Sequence, residues 1–572
     1  MATTKVVVDP VTRIEGHLRI EVAADQGRVQ DAWAIATTFR GIELVLKDRD
    51  PRDAWAFAQR ICGVCTTVHA IASIRAVEDA LDIRIPPAAN LIRNLVIAMQ
   101  FVHDHVMHFY HLHALDWVDV VAALQADPAE SARIASSISP WPNNGTAYFK
   151  DVQNRLKKFV GTGQLGIFAN GYWGHPAYKL PPAVDLLAVA HYLEALDWQK
   201  DAARLHTIFG GKNPHPNFLV GGMASAINLD ARQTINGRRI AELHDIIGKA
   251  QAFVEQVYWP DLLAIASFYP EWTRIGGGTT DFLCYGDLPD GDIRDTDSYY
   301  FRPGIVKARD LKQVWPFDPA KVQEQVDAAW YEPYAAGAGA GLHPYEGETK
   351  PHYTGPKAPW EYLQGLDKYT WMKAPRYEGK AMEVGPLARA VVNYAHGHPD
   401  YRDIVGEALN RLQVGPSALF STAGRTLARG IETVLLARKL KVYMDKLVER
   451  IAQGDTATFT RDHWEPESWP AETKGFGRHE APRGALGHWV RIKDRKIENY
   501  QAVVPSTWNC SPRDTTGQRG PYEMALMDNH PLLRPDQPLE LIRTIHSFDP
   551  CLACGVHVLD ATGRPVTEVK VQ

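Results

Sequence analysis

Four cysteines carry the chemistry that is legible in this sequence. Arg60-Ile-Cys62-Gly-Val-Cys65-Thr-Thr-Val-His69 and Asp549-Pro-Cys551-Leu-Ala-Cys554-Gly-Val-His557 hold two C-x-x-C pairs near opposite ends of a 572-residue chain. Two intervening residues turn the backbone enough for both sulfurs of a pair to reach one metal. Four thiolates favour a soft or borderline ion: zinc, an iron–sulfur cluster, or nickel and iron. Calcium and magnesium prefer oxygen and are excluded from such a site. Zinc is the commonest reading of paired C-x-x-C, but zinc motifs usually keep their halves within about 12–20 residues. Here a joint site would lie where the two ends of a large fold meet. A redox disulfide is the third reading, and it leaves the flanking Arg, His and Asp residues unexplained. Cys284 and Cys510 stand alone in sequence and read as buried thiols.

The elements that must position these cysteines are mostly helical. Residues 5–46 alternate in period two, with a turn at Asp25-Gln26-Gly27, and read as a small antiparallel sheet. Asp50-Pro51 then starts a helix that delivers the first pair. Apolar residues at three- and four-residue spacing continue over 66–82 and 88–125, and again near 183–210, 230–267, 385–412 and 416–453. A central bundle would bury those stripes. After Gly454, Trp489–Lys493 and Ile497–Val504 suggest a hairpin, and a short helix near 538–546 leads to the second pair. The expected class is mainly α with small β-sheets near both ends (α+β), around a long-helix bundle. The regions divide as 1–50 sheet, 51–270 helical with the first pair, 271–384 an irregular Gly/Pro-rich surface excursion, 385–454 bundle helices, 455–557 a β/helix region with the second pair, and 558–572 an extension.

Composition narrows the function. Sixty-seven acidic against 62 basic side chains give a formal charge of −5, with no basic excess for nucleic acid as the main partner. The most apolar stretch, 91–106, is broken by Arg93, Asn94, His103, Asp104 and His105, so no membrane span is expected. Asp9 and Arg13 interrupt the start before a signal-peptide core can form, so export would need a partner's signal. His103, His105, His108, His111 and His113 crowd one helix, but without acidic or thiol partners at matching spacing they read as packed polar groups.

With Arg13-Ile-Glu-Gly-His17, Phe39-Arg-Gly-Ile-Glu43, Ala481-Pro-Arg-Gly-Ala-Leu-Gly-His488, Val503-Val-Pro-Ser-Thr507 and His546-Ser-Phe-Asp549 added to the two pairs, the sequence resembles the large catalytic subunit of nickel–iron hydrogenases. The resemblance covers essentially the whole chain and is nearest the membrane-associated uptake branch facing the periplasm. It implies that all four cysteines bind nickel, with Cys65 and Cys554 bridging to an iron that carries carbon monoxide and cyanide. It implies that Glu15 passes protons outward, and that Arg483, Pro482, Asp104 and Asp549 form a canopy over the metals. Ser506 would hydrogen-bond a cyanide, and His69 would stand near a bridging sulfur. Cys551 and Arg483 are both candidate first bases. Glu43, His557 and the carbonyl of Ala502 would hold a separate Mg2+ or Fe2+.

The same resemblance implies partners: an iron–sulfur small subunit, a membrane cytochrome b or ferredoxin-like acceptor, nickel-insertion proteins and a maturation endopeptidase. The place of work would be the periplasmic side of the cell membrane, reached with the small subunit, the cytoplasm being the alternative. Two rivals stand beside it. The quinone-side subunit of respiratory complex I is related but lacks the four cysteines. The other is a non-catalytic protein stapled by zinc, a metal that rarely needs such a burial, which elemental analysis and infrared spectroscopy would separate. The 15 residues after His557 match an extension removed once nickel is in place. The active subunit is therefore predicted to end at His557, and an intact mass that includes Val558–Gln572 on active enzyme would contradict this.

Overall fold

Alternation does build the N-terminal sheet. The computed structural model describes residues 4–555 except 164 and 170. Thr4–Val8 (β1), Leu18–Asp25 (β2) and Arg28–Ala36 (β3) pair antiparallel in the order β1-β2-β3. Gln26 and Gly27 turn between β2 and β3 with positive φ, as a two-residue hairpin requires. The sheet stops at Ala36, short of the expected 46. Ile42, Val45 and Leu46 are spaced for one helical turn, Ile42–Val45, rather than for a strand.

Asp50 accepts the N–H of Arg52 and caps a 3₁₀ turn, Pro51–Asp53, just where the sequence places the start. Val68–Ala80 (α1) and Pro87–Met107 (α2) follow, then Pro182–Gly210 (α3), Gly237–Phe253 (α4), Pro386–Ala395 (α5) and Thr422–Ala452 (α6). At the centre α2 lies against α6, and α3, α4 and α5 pack around that pair. α2 is buried on nearly every face, so that Asn90, Arg93, Asn94, Gln100, Asp104 and His105 are buried together with its apolar side chains. The 31 residues of α6 span about 46 Å and are capped by Ser421, whose hydroxyl accepts the Gly424 N–H at 2.9 Å.

Several helical runs break where the sequence reads as continuous. The 88–125 run passes from α2 into a π-helical turn, His108–His113, then into short 3₁₀ turns. Such turns shift the side-chain register by one position and gather at functional sites. The 230–267 run begins only at Gly237, capped by Asn236, and the 385–412 run divides because Pro399 cannot continue a helix. Segment 271–384 forms short two-stranded pieces, but it is not confined to the surface. Leu283, Tyr285 and Trp330 within it are wholly buried.

The C-terminal region is a three-stranded antiparallel sheet rather than a lone hairpin: Glu472–Ala481 (β4), Gly484–Lys493 (β5) and Lys496–Val503 (β6). β4 escaped the sequence reading because Gly475 and Gly477 look like breakers. Their real role is close approach, since a Cβ on Gly477 would sit 1.9 Å from the Ala72 carbonyl of α1. Pro505–Asn509 (α7), Leu539–Ser547 (α8) and Leu552–Gly555 (α9) complete the described chain. Among the described residues no helix is long and apolar enough to cross a membrane. Gly477→Ala is expected to push α1 off β4 and destabilise the subunit by about 3 kcal/mol. An unchanged thermal unfolding midpoint would contradict that packing.

Candidate metal centre

The two ends of the chain meet at the cysteines. The 3₁₀ turn Gln59–Ile61 hands over to an extended Cys62, and Cys65 stands just before α1. From the other end, α8 closes at Ser547 and Asp549 adopts a left-handed φ of 57°, which aspartate tolerates better than branched residues. The chain then turns back through Cys551, which lies beside Glu15 in a parallel bridge. Gly16 permits this approach, because a Cβ there would lie 2.5 Å from the Ala553 nitrogen.

The sulfurs of Cys62, Cys65 and Cys551 all lie within 4.8 Å of one another and are buried. Cys62 Sγ and Cys551 Sγ are 3.4 Å apart. Two thiolates sharing a metal at about 2.3 Å would be separated by about 3.3 to 3.8 Å, for bond angles between square-planar and tetrahedral. The spacing therefore fits a shared soft metal. Ile61, Val68, Ala72, Leu486 and Val504 pack around the sulfurs and exclude water. A cavity of about 10 Å³ lies among Cys65, His69, Arg483, Ser506 and Cys551. The side chain of Cys554, His557 and the 558–572 extension lie outside the described residues.

Arg483 occupies the two-residue tip between β4 and β5, where Ala481 pairs with Gly484. Its Nη2 donates to Asp549 Oδ1 at 2.9 Å, its Nη1 to Asp104 Oδ2 at 3.2 Å and its Nε to the Asp549 carbonyl at 3.1 Å. Burial alone would favour the neutral form. Asp549, Cys551 and Asp104 outweigh it and hold the guanidinium charged well above its usual range. Pro482 precedes it in the same tip. Ser506, in α7, accepts the Cys551 N–H at 3.0 Å. His69 Nδ1 faces His488 Nε2 at 3.1 Å, so the imidazole is held beside the sulfurs by a second imidazole.

Glu15 reaches the sulfur directly. Its Oε2 accepts from Cys551 Sγ at 3.2 Å and from the Ala553 N–H at 3.0 Å. Burial, and next the charge of Cys62, raise its pKa above the ordinary carboxylate value, against the lowering effect of those two hydrogen bonds and of Arg483.

Glu43 lies apart from the sulfurs, and its Oε1 accepts the Ala502 N–H at 2.9 Å. Its Oε2 meets Thr349 and the ammonium of Lys373, which is 3.4 Å away. Lys373 also donates to Gln501 Oε1 at 2.8 Å and stands 3.7 Å from Glu324. Sequence reasoning missed Lys373, Thr349 and Glu324 because they belong to the segment read as a surface excursion.

The crowded histidines have protein partners. His105 meets Glu432, His108 the His546 carbonyl and His111 the Tyr192 carbonyl. His113, Asp116 and His546 form a second tight group. Asp116 pairs with Arg13, and His546 places Nδ1 2.6 Å from Asp116 Oδ2 and Nε2 2.8 Å from the Thr12 carbonyl. With a guanidinium alongside and both His546 nitrogens facing acceptors, this group ties the Arg13 segment to α8 and does not suit a cation. Cys284 and Cys510 are buried, and burial pushes both thiols well above their usual pKa, as inert cysteines require.

Comparison with known proteins gives one answer. The profile described as nickel-dependent hydrogenase matches residues 40–557, and one described as HoxL-like matches residues 5–37. The uptake hydrogenase large subunit of Bradyrhizobium diazoefficiens is 53% identical, covering 99% of this chain and 97% of its own. The hydrogenase-1 large chain of Escherichia coli K12 is 49% identical over 100% of this chain and 98% of its own. Among solved structures, an oxygen-pressurised NiFeSe hydrogenase variant from Desulfovibrio vulgaris Hildenborough superposes with a TM-score of 0.78. It is 32% identical, over 97% of this chain and 100% of that one.

Proposed function

The chain belongs to the nickel-dependent hydrogenase family as a large subunit, and we propose that it oxidises dihydrogen at a nickel–iron centre held by Cys62, Cys65, Cys551 and Cys554. The observation that carries this reading is the convergence of three buried sulfurs, from opposite ends of the chain, beneath one buried arginine. A nickel–iron centre supplies, when bound, the Lewis acidity and the redox couple that dihydrogen cleavage needs. Carbon monoxide and cyanide on the iron belong to the same proposal, with the Ser506 hydroxyl and Arg483 as polar groups able to face them.

The chain's own residues divide the proton work. Cys551 is the better first base of the two candidates, because Asp104 and Asp549 hold Arg483 protonated and leave it to orient and attract. Glu15 takes the proton next across the 3.2 Å contact with Cys551, and its raised pKa lets it both accept and release. His69 and Asp104 fix their neighbours without entering the transfer. Glu43, the Ala502 carbonyl and His557 are proposed to hold Mg2+ or Fe2+, a reading supported by the contact between Glu43 and Ala502.

Electrons leave through an iron–sulfur small subunit. Support for its docking face comes from Val64, which is 46% exposed although Cys62 and Cys65 on either side are buried. Export with that subunit to the periplasmic side of the membrane, a cytochrome b or ferredoxin-like acceptor, nickel-insertion proteins and an endopeptidase complete the proposal. A zinc-stapled, non-catalytic protein is the rival. Purified complex is expected to hold nickel and iron and to show infrared bands of iron-bound diatomics; zinc alone, without such bands, would sink the reading. Glu15→Gln keeps the shape and removes the titrating oxygen. It is expected to cut hydrogen oxidation by about 100-fold or more at unchanged nickel content. A wild-type rate would take Glu15 out of the proton route.

A further inference from the structure

The arginine over the sulfurs stands on a two-residue hairpin tip, a place where backbones usually move. Beneath that tip lies a second, wholly buried arginine, Arg389 of α5. Its Nη1 donates to the Ala481 carbonyl at 2.8 Å and its Nη2 to the Pro482 carbonyl at 2.7 Å, the two residues leading into Arg483. The remaining donors are spent on carboxylates. Nε and Nη2 reach Glu432 at 2.8 and 2.7 Å, and Nη1 reaches Glu480 at 2.7 Å. All five N–H groups of the fork are thus used, a pattern that the three donors of a lysine ammonium cannot copy.

Glu432 ties this fork to the rest of the canopy. Its Oε1 also meets His105 Nε2 at 2.5 Å, and His105 is the residue after Asp104. Three residues earlier on α6, Arg429 Nη1 donates to the Ser547 carbonyl at 3.0 Å, two residues before Asp549. The three segments that supply Asp104, Arg483 and Asp549 therefore converge on one turn of α6. Buried ion pairs seldom stabilise a fold better than apolar packing, so a group of this size calls for another use.

We propose that Arg389, held by Glu432 and Glu480, is a positioning residue that sets the placement of the Arg483 guanidinium over the sulfurs. The proposal rests on the reading of Arg483 as a working group of the centre. Arg389 touches neither dihydrogen nor metal and acts only through the tip. Its loss should therefore lower turnover and leave the apparent affinity for dihydrogen alone.

The test is a double-variant cycle in the purified two-subunit complex, with rates normalised to nickel. Arg389→Lys is expected to lower kcat about tenfold with KM for dihydrogen within about twofold, and Arg483→Lys about 100-fold. If Arg389 acts through Arg483, the double variant falls no further than about 100-fold, whereas independent effects would multiply to about 1,000-fold. Amide exchange over 481–484 should quicken in Arg389→Lys while β6 is unchanged. Glu480→Gln, which keeps the side-chain shape, should repeat the pattern at smaller amplitude, and it replaces Arg389→Lys in the cycle should lysine prevent nickel incorporation. Multiplicative losses, a wild-type kcat in Arg389→Lys, or unchanged exchange at the tip would overturn the clamp. A wild-type kcat in Arg483→Lys would overturn the underlying reading instead.

Discussion

Glu15 and Cys551 lie side by side in a parallel bridge. The Glu15 N–H reaches the Pro550 carbonyl at 3.3 Å, and the Leu552 N–H reaches the Glu15 carbonyl at 2.8 Å. This short splice joins the beginning of the chain to its last described turn. It sets Cys551 against Cys62, and it sets the Glu15 carboxylate against the Cys551 sulfur. The network of Arg13, Asp116 and His546 braces the same joint from behind. The geometry of the sulfurs thus depends on backbone pairing between segments more than 500 residues apart, and the bundle is the scaffold that lets them meet.

Electrostatics works on the same joint. Taking Arg483, Asp104 and Asp549 out of water costs several kcal/mol per ion, and only dense mutual hydrogen bonding offsets it. Over the sulfurs the fold pairs Arg483 with two aspartates and, behind it, Arg389 with two glutamates, and apart from them it pairs Lys373 with Glu43 and Glu324. Such a dry, paired setting keeps dipoles fixed around any charge that changes during catalysis.

Much of this was legible in the sequence where the signal was local. Spacing marked the cysteine pairs, apolar periodicity marked α2, α3 and α6, and Asp50-Pro51 marked a helix start. Motif resemblance named Glu15, Arg483, Asp104 and Asp549, which the structure gathers round the sulfurs. The misses share a cause: partners brought together by the fold from remote segments. Strand β4 hides behind two glycines whose purpose is contact with α1. Lys373 and Glu324 sit in a segment too irregular for any periodic rule, yet they are buried beside Glu43. Arg389 and Glu432 look like ordinary charges on amphipathic helices, and only the tertiary packing reveals that α5 and α6 turn them inward.

The bridge at Glu15 has a meaning for biosynthesis. A ribosome releases the N-terminal strand and Cys62 hundreds of residues before Cys551 emerges, so a nascent chain carries half a sulfur cage for most of its translation. A fragment lacking the final turns can present one thiol pair, but it cannot close a pocket around a transition metal. Because Cys551 follows Cys62 by 489 positions, the contact between their sulfurs forms only after the bundle that lies between them has been synthesised.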